Sequence, residues 1–273
     1  MKKRLDQILI ENNFFDNKNK ARGYIIDGNV LVDNQKIIKP GTMLNPDKAV
    51  INIIAKDKEY VSRSGKKLEK AIKIWNINLM DLICLDIGSS TGGFTDCCLF
   101  FKAKYVYAVD VGTNQLDWKL RINPKVKSME KTNFRYVKKE VFLKKIDFFC
   151  CDVSFISVEK ILINLKEILD NDIFGIILIK PQFESDREDI KNGKINSKVN
   201  HKKSITRVVE YCNKNNFSVI DINYSPILGN KKKNIEYLCL IKKEEEINNK
   251  INETNIETTI NESWNYFSNL KNE

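Results

Sequence analysis

The run Leu85-Asp-Ile-Gly-Ser-Ser-Thr-Gly-Gly-Phe-Thr-Asp96 constrains this chain more than any other stretch, because it joins an apolar strand to a helix through a turn whose backbone needs glycine. Residues 83–87 form a short β-rich run ending at Gly88, and residues 94–101 resume with helix-compatible spacing. Strand, tight loop and helix make the repeating unit of an open α/β sheet, which holds its ligand outside the carboxyl ends of the strands, beside a topological switch point. A dinucleotide fingerprint needs glycine at its middle position so that backbone can approach a pyrophosphate, and here Ser90 occupies that place. The spacing Asp86-x-Gly88-x-x-x-Gly92 therefore disfavours a pyrophosphate and suits S-adenosylmethionine, whose amino-acid end needs close backbone and polar partners. The candidate contacts in this loop are Asp86, Gly88, Ser90, Thr91, Gly92 and Gly93. About twenty residues further on, Tyr105-Val-Tyr-Ala-Val-Asp110 reads as a second strand ending in a carboxylate placed to accept both ribose hydroxyls.

The chain has 273 residues, enough for two ordinary domains or one large one, with apolar and charged fractions of a globular protein. Charge follows Met1-Lys-Lys-Arg4 closely, and the longest apolar run, residues 174–179, is far below the roughly 20 residues of a membrane span, so a cytoplasmic protein is expected. Residues 1–241 carry 42 basic and 29 acidic side chains, a net +13, whereas the remainder is acidic. A basic body points to a polyanionic partner. The seven cysteines lack a Cys-x-x-Cys spacing and His201 has no companion, so reduced core cysteines are expected, with neither a metal site nor a histidine triad.

Residues 1–55 read as a small unit and residues 56–59 as a charged linker. A helix begins at Arg4-Leu-Asp, and Asn17 caps a second one that stops at Gly28. Residues 29–32 and 36–38 then form a hairpin around Asp33-Asn34. This order resembles the RNA-binding module named after ribosomal protein S four, which makes Arg4, Lys18 and Lys39 candidates for phosphate contact. From Tyr60 the pattern alternates. An amphipathic helix carries Leu68, Ala71, Ile72 and Trp75; a third apolar run ends at Asp152 and is followed by a helix through Ile161 and Leu169; a buried strand meets polar chemistry at Lys180. A helix over 203–214 and strands over 217–224 and 235–242 complete a doubly wound, Rossmann-like α/β domain over residues 60–242. Residues 243–273 are expected to be a disordered or loosely helical polar tail.

Lys67, Asp152, Lys180 and Glu236 lie where such a fold gathers a site. Methylating a sugar hydroxyl requires a poorly acidic proton to leave while the oxygen attacks a sulfonium methyl in line, and a lysine made less basic by burial and a second cation is a suitable base. Lys180 is the candidate base, Lys67 the neighbouring cation, and Asp152 and Glu236 the groups that orient both. Amino methylation of a base would call for Asn/Asp-Pro-Pro-aromatic where this chain has Asp152-Val-Ser-Phe155, and carbon methylation of cytosine for a reactive cysteine, whereas Cys150 and Cys151 sit inside an apolar strand.

Tyr60-Val-Ser-Arg-Ser-Gly-x-Lys67, Asp86 to Asp96, Ala108-Val-Asp-Val-Gly112, Asp152-Val-Ser-Phe-Ile-Ser157, Lys180-Pro-Gln-Phe-Glu184 and Ser225-Pro-Ile227 together resemble the TlyA family, whose catalytic part is similar to FtsJ-type 2′-O-methyltransferases. The resemblance implies a ribosomal RNA cytidine as substrate, a Lys-Asp-Lys-Glu tetrad at Lys67, Asp152, Lys180 and Glu236, further cofactor contacts at Val111 and Asn133, and an RNA contact at Arg63. It implies ribosomal RNA or a ribosomal subunit as partner, for a protein expected to be a monomer. The family also carries a haemolysin label. A lysin would need an amphipathic or apolar segment that the sequence does not offer, and a plain RNA-binding protein would need neither the glycine loop nor the tetrad.

Overall fold

The computed structural model describes residues 2–15, 17–53, 60–229 and 232–270, so the linker expected at 56–59 lies outside the described residues. The chain divides into two compact units, Met1–Glu59 and Tyr60–Glu273.

In the first unit, β1 (Lys3–Arg4) leads into α1 (Leu5–Glu11), and α2 (Lys18–Ile26) starts at Asn17, whose side chain accepts from the Lys20 amide at 2.9 Å. β2 (Val30–Val32) and β3 (Gln35–Lys36) form the expected hairpin, with Asp33 and Asn34 both at positive φ, the geometry of a two-residue turn that follows strand twist. β4 (Met43–Leu44) pairs with β1, and β5 (Ile51–Ile53) adds to the free edge of β2, two pairings that such short runs did not announce. Leu5, Leu9, Ala21, Ile25, Val30 and Val32 close a small core. Beside it the buried Asp6 carboxylate accepts from Arg4 Nε, Arg4 Nη2 and Arg22 Nε, each at 2.9 Å. Those bonds, Arg4's first, hold Asp6 well below the usual carboxylate range.

The second unit begins with α3 (Gly65–Ile74), followed by β6 (Ile83–Ile87), α4 (Gly93–Phe100), β7 (Tyr105–Val109), α5 (Trp118–Arg121) and β8 (Val126–Met129). Then come β9 (Phe148–Cys151), α6 (Glu159–Ile168), β10 (Phe174–Ile179), α7 (Pro181–Glu184), α8 (Lys198–Lys214), β11 (Phe217–Tyr224), β12 (Tyr237–Lys243) and α9 (Glu253–Asn269). The seven-stranded sheet runs β11-β12-β10-β9-β6-β7-β8, with β12 antiparallel to both its neighbours. Helices cover both faces, as a parallel sheet requires. Alternation along the strands sorts the side chains: Leu85, Phe149 and Ile177 face one core with Leu162, Leu165 and Val208, while Cys84, Phe148 and Ile176 face the other with Leu68, Ala71 and Cys97. The chain therefore has the expected doubly wound α/β architecture.

Two boundaries differ from expectation. α8 starts five residues earlier, at Lys198, because the Ser197 hydroxyl caps it. The tail, expected to be disordered or one loosely docked helix, is a helix docked along much of its length. α9 opens with a reciprocal Asn252–Asn255 capping box and buries Ile256, Ile260 and Phe267, an i, i+4, i+11 stripe that low overall hydropathy hid.

Candidate active site

The sheet topology decides where the chemistry-bearing residues meet. β6, β9 and β10 are parallel and end at Ile87, Cys151 and Ile179, so Gly88, Asp152 and Lys180 leave the sheet at one edge. Tyr237 of the antiparallel β12 pairs with Ile179, so Glu236, which precedes the strand, arrives at that same edge. β6 also lies at the switch point, with β7 on one side and β9 on the other.

Lys67, on the first turns of α3, reaches in from above. Its Nζ donates to Glu236 Oε2 at 2.7 Å and to Asp152 Oδ2 at 3.2 Å. Lys180 Nζ forms an ion pair with Asp152 Oδ1 at 2.6 Å and donates to Ser154 Oγ at 2.7 Å. The structure thus brings all four expected catalytic residues together. Lys67, expected as a positive neighbour of Lys180, is itself neutralised by two carboxylates. Burial pushes its ammonium down, but the fields of Asp152 and Glu236 outweigh that and leave it above its ordinary value. Burial pushes Asp152 up, and the two lysines more than reverse this and leave it below the usual range. Two cations and two anions in one buried cluster satisfy each other, which an unpaired buried charge could not do.

The cluster opens into a cavity of about 560 Å³, lined also by Ser62, Arg63, Gly88, Ser90, Thr91 and Phe183. Its size is that of a small-ligand site. The glycine loop enters it through a left-handed backbone: Gly88 has φ +82°, Ser90 +48° and Gly92 +98°. A Cβ at Gly88 would stand 2.8 Å from the Asp152 carbonyl oxygen, so glycine lets the two strand ends approach. Gly92 and Gly93 do not line the cavity. A Cβ at the first would strike Leu116 and Leu120, and at the second Ser62 and Ser64, so glycine at both lets the loop pack closely.

The remaining candidates fall elsewhere. Asp110 lies beside the loop without lining the cavity: its carboxylate accepts from the Ser90 amide at 2.8 Å and the Gly112 amide at 2.7 Å, so it shapes both turns. Val111 is 68% exposed, and the exposed Asn133 accepts from the Arg135 amide to cap a short helical turn. Asp86 is buried under the loop; its Oδ2 accepts from Thr95 Oγ1 at 2.6 Å, and burial pushes the carboxyl up to about 7. Among the RNA candidates, Arg63 lines the cavity and donates to the Leu228 carbonyl at 2.9 Å. Arg4 spends its fork on Asp6, and Lys18 and Lys39 are exposed on the first unit.

Several lining residues carried no sequence signal of their own. Ser154 and Phe183 sit inside motifs already quoted, but only the fold pairs them with Lys180 and Phe155. Gly193, Lys232 and Asn234 come from two loops that close one wall, Asn234 Nδ2 donating to the Gly193 carbonyl at 2.9 Å.

All seven cysteines are buried and unbridged, and burial pushes the Cys150 and Cys151 thiols well up, away from thiolate chemistry. His201 is a core residue whose Nδ1 meets the Tyr237 hydroxyl at 2.6 Å and whose Nε2 meets the Ile195 carbonyl at 3.1 Å.

The FtsJ-like methyltransferase family model matches residues 60–242. The chain is 30% identical over 240 residues to the 16S/23S rRNA (cytidine-2′-O)-methyltransferase TlyA of Mycobacterium tuberculosis, spanning 88% of this chain and 89% of that protein. It is 40% identical over 238 residues to Hemolysin A of Brachyspira hyodysenteriae, spanning 86% and 98% of the two. A solved structure of a proposed hemolysin from Streptococcus thermophilus superposes with a TM-score of 0.78 at 37% identity, covering 100% of this chain and 99% of that one.

Proposed function

The chain belongs to the FtsJ-like methyltransferase family, and from that premise we propose that it methylates a ribose 2′-hydroxyl of ribosomal RNA, with a cytidine as the target nucleoside. The observation that carries this reading is the Lys67–Asp152–Lys180–Glu236 cluster at the carboxyl edge of the sheet, open to one cavity.

S-adenosylmethionine fits the site on its own terms. Asp86 Oδ1 is a buried acceptor without a hydrogen-bond partner among the described residues, the glycine loop excludes side chains beside Asp152, and the cavity has the needed size. Gly88, Ser90 and Thr91 would hold the cofactor, with Asp86 beneath them and Asp110 fixing the loop. The cofactor supplies an electrophilic methyl on a sulfonium sulfur.

The protein's part is positioning and proton transfer. Lys180, once its ammonium has given up a proton, would take the proton of the ribose hydroxyl as that oxygen accepts the methyl group the cofactor would supply. Asp152 holds Lys180 Nζ from one side and Ser154 from the other, which sets the direction of its lone pair. Lys67, clamped by Asp152 and Glu236, keeps those carboxylates in place and offsets their charge beside the reacting oxygen. Arg63 at the cavity and the basic first unit supply the phosphate contacts, and Lys18 and Lys39 are the exposed cations that reach them.

No helix of the described residues is long and apolar enough to cross a membrane. The deciding experiment is methyl transfer from labelled S-adenosylmethionine to naked ribosomal RNA and to each subunit, followed by nucleoside mass spectrometry. A methyl on ribose supports the reading; a methyl on a base, or no transfer to any of the three substrates, overturns it.

A further inference from the structure

Two segments carry the tetrad's paired members: residues 152–158, which follow β9 with Asp152 at their head, and residues 180–184, which follow β10 with Lys180 at theirs. They run side by side and are joined at three successive places. Lys180 Nζ donates to Ser154 Oγ at 2.7 Å; the Phe155 and Phe183 rings meet with centroids 5.4 Å apart; and the Glu184 carboxylate accepts from Ser157 Oγ at 2.6 Å and from the Val158 amide at 2.8 Å. The second joint is weakly held by itself. Phe155 is 83% exposed and has φ +65°, a left-handed backbone that a bulky residue adopts only when its surroundings impose it. Glu184, by contrast, is 4% exposed, and both its oxygens are taken by the 157–158 backbone and hydroxyl at the start of α6. Arg207 of α8 donates to the Glu184 carbonyl at 2.9 Å and holds the other side of that turn.

We propose that Glu184 is a positioning residue for methyl transfer: it locks the 152–158 segment to the 180–184 segment beyond the last β9–β10 pair, Cys151 with Ile177, and thereby holds the Asp152 carboxylate and the Ser154 hydroxyl on Lys180. The inference rests on the methyltransferase reading. Without the lock the strained Phe155 turn relaxes, the segment beyond Asp152 moves off its neighbour, and Lys180 loses the contacts that aim it. A misplacement of about 1 Å at reacting atoms costs on the order of a hundredfold in rate. Hydrogen-bonding capacity rather than charge does this work. A glutamine can accept from the Val158 amide through its oxygen and donate to the Ser157 oxygen through its nitrogen.

Glu184→Ala is expected to lower kcat by about tenfold to a hundredfold while leaving the calorimetric affinity for S-adenosylmethionine within about twofold. Glu184→Gln is expected to restore most of kcat. In crystals of the alanine protein the Lys180 Nζ to Asp152 separation should exceed the roughly 4 Å limit of an ion pair. Parental kcat in Glu184→Ala, or a Glu184→Gln protein as impaired as the alanine one, overturns the proposal. If Glu184→Ala fails to fold, Ser157→Ala removes one bond of the lock and leaves the Val158 bond; it should lose kcat several-fold at unchanged cofactor affinity, and parental kcat there also overturns it. If the unmodified protein does not methylate RNA, the functional reading has failed, and the crystallographic separation still decides whether Glu184 holds Asp152 on Lys180.

Discussion

Asp152 reaches Lys180 at 2.6 Å through one carboxylate oxygen and gives the other to Lys67 at 3.2 Å, so a single acid at the end of β9 holds both cations of the site. Neither lysine has another acid so placed except Glu236, which reaches only Lys67 among the described residues.

The arrangement predicts a separable chemical step. Lys180→Ala in a folded protein should lose at least about a hundredfold in methyl transfer, the scale of a general base, with cofactor affinity retained. Single-turnover kinetics with labelled cofactor measure this, and near-parental turnover would remove Lys180 from the role of base.

Glu236→Gln leaves Lys67 with Asp152 alone. The expected loss at pH 7 is about 3 kcal/mol, the lower range for breaking a buried pair. Lys67 titrates above its ordinary value in the folded chain, so the stabilisation is complete below its unfolded value and fades as pH rises through the folded one. Urea unfolding of parent and variant should show a gap that narrows only in strongly alkaline solution; a gap that narrows between pH 6 and 8 would contradict the assignment.

Burial raises Asp86 to about 7. A carboxyl raised in the folded state binds protons there that the unfolded chain has released, so stability falls as pH climbs from about 4 towards 7. Asp86→Asn keeps an acceptor for Thr95 and removes that penalty. The variant should be more stable than the parent at pH 8 by a few kcal/mol, with the advantage gone near pH 4, yet bind S-adenosylmethionine more weakly by tenfold or more, about the value of a charged hydrogen bond. Equal stability at pH 8 would show that burial does not raise the Asp86 carboxyl.

RNA binding should respond to the first unit through charge alone. Changing both Lys18 and Lys39 to alanine should weaken binding uniformly across RNA sequences and reduce the slope of log affinity against log salt by about 1 per lysine that contacts phosphate. Filter binding across a salt series checks this. An unchanged slope would mean that neither lysine meets phosphate.

The docked C-terminal helix predicts a cost far from the chemistry. Ile260, 2% exposed, packs into the same core as Val208 and Ile222. Ile260→Ala should destabilise by about 2–5 kcal/mol with kcat little changed at temperatures where the protein stays folded. A change within about 0.5 kcal/mol, the range of surface substitutions, would mean the helix is not packed in solution.

Much of this was written locally. The turn at Gly88 to Gly92 requires left-handed backbone that glycine supplies, strand runs such as 83–87 and 174–179 announce buried parallel strands, and Asn17 and Asp33-Asn34 declare a cap and a hairpin turn, because each depends on near neighbours in sequence. The four site residues were nameable for the same reason, each standing at the end of a legible strand or helix. Which acid meets which lysine was not. Lys67 and Glu236 are 169 positions apart and meet at 2.7 Å only because β12 runs antiparallel beside β10. The Glu184 lock depends on β9 and β10 lying in register, and the tail helix on a face of α8 and β11 that waits for Ile256 and Ile260. Local backbone preference is a property of a few adjacent residues and can be read from them; the pairing of charges and the burial of a sparse apolar stripe depend on which distant segment arrives alongside, and tertiary packing alone decides that.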